Sequence, residues 1–150
     1  MEIERKFLLR ALPPHFASLH GAPIDQGYLA AEPGGRHVRL RKKGEAFFLT
    51  AKGAPKGFAR EEIEIALTPA QFAALWPLTA GRRLKKERFE VPLEGRIVEI
   101  DVYGGGNQGL VVAEVEFESE AAAHAFTPPE WFAEDVSDRP EYSNRNLARE

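Results

Sequence analysis

Glu2, Glu4 and Lys6 occupy every second position of the segment Glu2-Ile3-Glu4-Arg5-Lys6-Phe7. Successive side chains of a β-strand point to opposite faces, so these three share one face. The pattern constrains the fold because it recurs. Val38 and Leu40 oppose Arg39 and Arg41; Ile63, Ile65 and Leu67 oppose Glu62 and Glu64. Phe89 and Val91 oppose Lys86 and Arg88, whereas Lys85 keeps the apolar parity and is expected to meet solvent at a strand end. Val98, Ile100 and Val102 oppose Glu99 and Asp101, and Ala113, Val115 and Phe117 oppose Glu114 and Glu116. Thr50 and Lys52 share a face on one further strand.

Antiparallel sheets commonly carry one apolar face and one wet face. Three features set these charged faces apart from a wet surface. They contain almost no Ser, Thr, Asn or Gln; the acids recur as Glu-x-Glu; the bases recur as Arg39-x-Arg41 and Lys86-x-Arg88. Like charges side by side on a face cost stability unless opposite charge lies between them. A closed eight-stranded antiparallel β-barrel with its charges inside and a few peripheral helices outside resolves the conflict, since eight strands leave room for a small ligand. Inward bases call for a polyanion. Inward acids would repel it unless a divalent cation stands between, and Mg²⁺ takes carboxylates on one side and phosphate oxygens on the other. The expected ligand is a metal-bridged oligophosphate.

The rest of the chain fits one mainly β domain over residues 1–150. Strands are expected over 24–31, 35–43, 46–52, 59–67, 82–91, 96–103 and 109–119, separated by Gly and Pro turns. Thr68-Pro69-Ala70-Gln71 reads as a capping box opening a helix with Phe72, Leu75 and Trp76 on one face. Brief helices are expected before Gly21 and after Ser119, with a polar helix over 140–150. The chain has no cysteine, so it offers no disulfide or thiolate ligand. With no apolar leader at Met1 and no membrane-length apolar run, the expectation is a cytoplasmic protein without a membrane partner. A net charge of −3 provides no general attraction to nucleic acid. His15, His20, His37 and His124 are scattered singly and are read as non-ligands.

In order along the chain, Glu2-Ile3-Glu4-Arg5-Lys6, Gln26-Gly27-Tyr28-Leu29, Val38-Arg39-Leu40-Arg41, Thr50-Ala51-Lys52 and Arg60-Glu61-Glu62-Ile63-Glu64 resemble the CYTH superfamily, or triphosphate tunnel metalloenzymes. The likeness continues through Gly81-Arg82-Arg83, Lys86, Arg88, Glu99-Ile100-Asp101, Val112-Ala113-Glu114-Val115-Glu116-Phe117 and Tyr142-Ser143-Asn144-Arg145-Asn146-Leu147-Ala148. The resemblance implies an eight-stranded tunnel that cleaves inorganic triphosphate to pyrophosphate and phosphate with Mg²⁺ or Mn²⁺. It implies Glu2, Glu4, Glu114 and Glu116 as metal ligands, with Asp101 an additional or outer member. It implies Lys6, Arg39, Arg41, Lys52 and Arg88 as phosphate-binding residues.

By the same resemblance Lys86 is the general base, which requires a large fall from the ordinary lysine pKa of about 10.4. A water activated by the metal is the rival nucleophile source, and a phosphate clamp is the rival role for Lys86. Glu62 and Glu64 either hold a second metal or orient Arg and Lys side chains. Tyr28 and the terminal helix are expected to close one tunnel mouth, with Arg145 or Arg149 touching substrate. Relatives acting on nucleoside or thiamine triphosphate, or cyclising ATP, tend to carry His-Phe or Tyr-Phe-Asp after the second strand; this chain has Tyr28-Leu29-Ala30-Ala31. A non-catalytic polyphosphate or nucleotide module is the remaining alternative, opposed by the full set of acids. The expected partner is a small-molecule triphosphate, and the chain is expected to be a monomer or homodimer.

Overall fold

The computed structural model describes residues 1–150. The alternating segments become ten strands: β1 (Glu2–Leu9), β2 (Ala22–Ala31), β3 (His37–Lys43), β4 (Ala46–Lys52), β5 (Ala59–Arg60), β6 (Glu62–Leu67), β7 (Arg83–Leu93), β8 (Arg96–Tyr103), β9 (Val111–Glu116) and β10 (Phe132–Asp135). They form one sheet, ordered β10-β1-β9-β8-β7-β2-β3-β4-β6, with β5 attached to β1. Every pairing is antiparallel. No helix is long and apolar enough to cross a membrane.

The sheet is not the closed barrel expected from the charge pattern. Its ladder stays open at β6, and β5 contributes only the pairs Glu2↔Arg60 and Ile3↔Ala59 to β1. The cause lies at Glu61, where the single strand expected over 59–67 breaks. The Glu61 carbonyl accepts from Gly53 N–H at 2.9 Å, so the chain leaves β1 and continues on β4. The sheet nonetheless curls until distant strands meet: Lys52 Nζ on β4 lies 2.8 Å from Glu2 Oε1 on β1.

The apolar parities face outward and are covered unevenly. Phe7, Phe89, Val98, Ile100 and Val115 are buried beneath α2 (Glu120–Ala125) and β10, through Ala123 and Phe132. Fully burying such a side chain contributes about 1.5–3 kcal/mol relative to exposure. Ser119 caps α2 by accepting from Ala122 N–H at 3.0 Å. On the other side, α1 (Pro69–Leu75) begins with the full Thr68–Gln71 capping box. It lays Phe72 on Phe47, with ring centroids 4.7 Å apart. Behind it, Trp76 and Thr79 press on β2 so closely that a Cβ on Gly27 would stand 2.6 Å from Thr79 Oγ1. Only glycine fits there. Nothing covers Ile63 and Ile65 of the open strand, which are 66% and 51% exposed.

Two terminal features depart from expectation. The helix expected before Gly21 is one 3₁₀ turn, Phe16–Ser18. In place of a polar helix over 140–150 there is a 3₁₀ turn, Pro140–Tyr142, and a single helical turn, α3 (Asn144–Leu147). Leu147 and Ala148 are the reason: both are buried against Tyr28, Leu84, Tyr103 and Val112 at one end of the inner face. Glu150 and Arg83 exchange backbone hydrogen bonds of 3.1 and 2.9 Å, fastening the tail to β7.

Candidate active site

The curled inner face encloses a cavity of about 250 Å³ in which Phe48 is the one hydrophobic lining residue. Glu2, Glu4, Arg39, Arg41, Lys52, Glu62, Glu64, Arg88, Glu114 and Glu116 all line it, together with Glu99 and Asn144. The period-two pattern thus sends the charged parity of β1, β3, β4, β6, β7, β8 and β9 inward.

One wall is acidic. On β1 and β9, Glu4 pairs in register with Glu116 and Lys6 with Glu114, which sets three carboxylates and one ammonium side by side. Oxygens of Glu2, Glu4 and Glu116 lie within 4.8 Å of one another. Removal from bulk water raises all three pKa values. For Glu4 the Glu114 charge adds strongly to that effect, and for Glu116 the Glu2 and Glu114 charges do so. Glu114 goes the other way: burial alone would raise it, but Lys6, Arg88, Lys86 and a hydrogen bond from Glu4 hold it well below the usual carboxylate range. Hard divalent cations take such oxygen ligands, and their charge removes the mutual repulsion that raises these pKa values. The trio Glu2, Glu4 and Glu116 fits a metal on that ground.

The opposite wall, on β3, is basic and unmatched. Arg39 is 5% exposed and its Nε has no hydrogen-bond partner. Arg41 is held by Gln26, whose Oε1 accepts from Nε at 3.0 Å and Nη2 at 2.9 Å. Neither guanidinium forms an ion pair. Burial, with Arg39 and Arg88 nearby, lowers Arg41 to about 10. A buried guanidinium without a counter-charge is costly, and a polyanion is its natural partner.

The other bases are already matched. Lys52 pairs with Glu2 at 2.8 Å. Lys6 lies 3.7 Å from Glu114 and donates to the Tyr142 carbonyl at 3.0 Å. Arg88 grips Asp101 bidentately, at 2.8 and 2.9 Å, and reaches Glu99 at 3.3 Å. Asp101 is fully buried and also bonds Lys86 Nζ at 2.7 Å. With both oxygens engaged by cations, it stands apart from the metal-compatible trio. Lys86 is likewise fully buried and absent from the cavity lining, because Asn144 screens it, accepting from Nζ at 3.4 Å. It is therefore set back from the cavity. Burial, resisted by Asp101 and aided by Arg88 and Arg41, lowers its amine to about 7.

Of the two roles open to Glu62 and Glu64, holding a second metal or orienting bases, the second has no ion pair with Lys or Arg behind it. Glu64 accepts from Thr50 Oγ1 at 2.9 Å, and the nearby Glu62 carboxylate helps raise the pKa of Glu2. Tyr28 is buried beside the tail, its hydroxyl accepting from Gln26 Nε2 at 2.8 Å, and it does not line the cavity. Sequence reasoning assigned no role to Gln26, Asn144 or Arg60. All three lie in the motif segments quoted above, but an amide or a lone arginine there carries no alternation signal.

A family model described as "CYTH domain" matches residues 1–148. The chain is 44% identical to the inorganic triphosphatase of Nitrosomonas europaea, covering 98% of this chain and 96% of that protein. It is 30% identical to the inorganic triphosphatase of Acetivibrio thermocellus, covering 99% and 93%. The crystal structure of the inorganic triphosphatase NE1496 superposes with a TM-score of 0.72 at 42% identity, covering 99% of this chain and 94% of that one. With a curled antiparallel sheet, inward charges and this likeness along nearly its whole length, the chain belongs to the CYTH domain family.

Proposed function

We propose that this protein is an inorganic triphosphatase that hydrolyses tripolyphosphate to pyrophosphate and phosphate with Mg²⁺ or Mn²⁺. The observation that carries the reading is the facing of two walls in one cavity: carboxylates Glu2, Glu4 and Glu116 on one side, unmatched Arg39 and Arg41 on the other. An anion trap alone has no use for the acids, and a metal site alone has no use for the arginines. The names of the two relatives support the same substrate.

Phosphoryl transfer depends mainly on positioning and charge neutralisation. Arg39 and Arg41 bind and orient phosphate oxygens, Arg41 in the pose that Gln26 dictates. Glu2, Glu4 and Glu116 would hold the divalent cation, with Glu114 beside them as a compensating charge. The bound cation supplies Lewis-acid polarisation of a phosphate oxygen. Lys52, Lys6 and Arg88 position the carboxylates with which they pair and reach substrate from there. With its pKa at about 7, Lys86 exchanges a proton at neutral pH, which suits a general base acting from behind Asn144. Tyr28 and the tail close the end of the inner face opposite the acids.

The test is phosphate release from tripolyphosphate, ATP and thiamine triphosphate, with and without Mg²⁺, Mn²⁺ or Ca²⁺. Rapid metal-dependent release from tripolyphosphate is expected, and Glu4→Gln should lower it more than about a hundredfold without unfolding the protein. Tight tripolyphosphate binding with no release from any substrate would overturn the enzymatic reading.

A further inference from the structure

A second cavity, of about 240 Å³, adjoins the first at Glu4, which lines both. Its walls include Lys6, Phe58, Arg60, Tyr142 and Arg145. Lys6 is already engaged by Glu114 and the Tyr142 carbonyl, and Arg139 at the rim is tied to Glu134 and Glu141. Arg60 and Arg145 make no ion pair. Arg60 Nη2 donates to the Gly35 carbonyl at 3.3 Å, while its buried Nε has no partner. Burial lowers the Arg60 guanidinium, Glu2 and Glu4 offset this in part, and the Arg145 charge lowers it further. Two guanidiniums near enough to repel, one with an orphaned N–H, are costly unless an anion joins them.

We propose that Arg60 and Arg145 form a distal anion subsite that takes the far terminal phosphate of a linear triphosphate and so selects inorganic over esterified substrates. The inference deepens the triphosphatase reading and rests on it. Tripolyphosphate ends in a free phosphate at both termini, whereas ATP carries an uncharged sugar at one. Guanidiniums stand on both sides of Glu4, Arg39 and Arg41 in one cavity and Arg60 and Arg145 in the other. A symmetric anion satisfies both pairs. An esterified one leaves a sugar against Arg60 and Arg145, and a site that leaves buried polar groups unpaired rejects such a ligand strongly.

Calorimetric titration of Mg²⁺-free protein with tripolyphosphate and with ATP tests this directly. The wild type should bind tripolyphosphate more tightly. Arg145→Gln, whose side chain is partly exposed and bonds nothing that the fold needs, should weaken tripolyphosphate about tenfold while changing ATP less than about twofold. Arg60→Gln/Arg145→Gln should erase the preference. Equal weakening of both ligands, an unchanged preference, or a wild type without preference would each overturn the subsite. Phosphate release measured separately with Mg²⁺ keeps the two claims distinct. A wild type that shows the preference, loses it in the double variant and releases no phosphate sustains the subsite and overturns the triphosphatase reading.

Discussion

The pairs Arg39-x-Arg41 on β3 and Lys86-x-Arg88 on β7 look alike in sequence, yet they differ in what surrounds them. Both are inward, buried and basic. The β7 pair converges on one carboxylate, Asp101, whose neighbours Glu99 and Glu114 add further negative charge. On β3, Arg41 meets the amide of Gln26, a neutral partner, Arg39 has an Nε with no partner, and both face the cavity. One pair has its charge compensated within the protein by Asp101. The other retains its charge for a ligand. A repeated motif therefore fixes where cations point, while their availability depends on which strand lies next in the sheet.

That contrast can be broken most forcefully at Asp101. Asp101→Ala leaves buried Lys86 with no ion-pair partner and Arg88 with Glu99 alone, and should lower stability by about 3–5 kcal/mol, read from urea unfolding. A loss as small as that of a surface substitution would show that the β7 pair needs no counter-charge. Lys86→Met sharpens the comparison further, because Asp101 keeps its bidentate grip on Arg88 and the fold should hold. Turnover should fall by about 10²–10⁴, the usual contribution of a general base, while the Kd for tripolyphosphate stays nearly constant. The pH profile carries the sign: only the neutral amine accepts a proton, so wild-type kcat should rise as pH climbs through about 7. Lys86→Met should flatten that rise; a fall confined to binding would make Lys86 a clamp. The smallest effect on the fold is expected at Arg39. Arg39→Gln removes an unmatched charge, so stability should change by less than about 1 kcal/mol, whereas tripolyphosphate affinity should drop about tenfold to a hundredfold. If instead Arg39→Gln unfolds the protein as Asp101→Ala does, the two pairs are alike after all.

The inward face was legible because alternation is a local property of strands. Glu2, Glu4, Arg39, Arg41, Lys52, Glu114 and Glu116 could each be assigned a side from their neighbours alone, and the structure turns all of them toward one cavity. The Thr68–Gln71 cap was equally local and forms as read. Closure was not legible. Alternation is uninterrupted from Glu62 to Leu67, but the break at Glu61 depends on a backbone hydrogen bond from Gly53, a contact made only after folding. β10 escaped notice because its four residues are held by the register to β1 and by Phe132 packing 4.8 Å from Phe7. The tail was misread because Leu147 and Ala148 count as two apolar residues in a polar segment, too few to signal burial.

By itself the sequence determined parity: which side chains share a face, that the shared face is charged, and that acids and bases both point inward. It also carried the family, through motifs spread along nearly the whole chain. Tertiary structure alone decided pairing. It brought Asp101 to Lys86 and Arg88, Glu2 to Lys52, and Gln26 to Arg41, leaving the β3 arginines and the Arg60–Arg145 pair without counter-charges. The reason is one of range. Strand periodicity repeats every two residues and is visible in any short window. A buried charge recovers its lost hydration only from a partner in direct contact, so compensation belongs to whichever strands the curl of the sheet brings together.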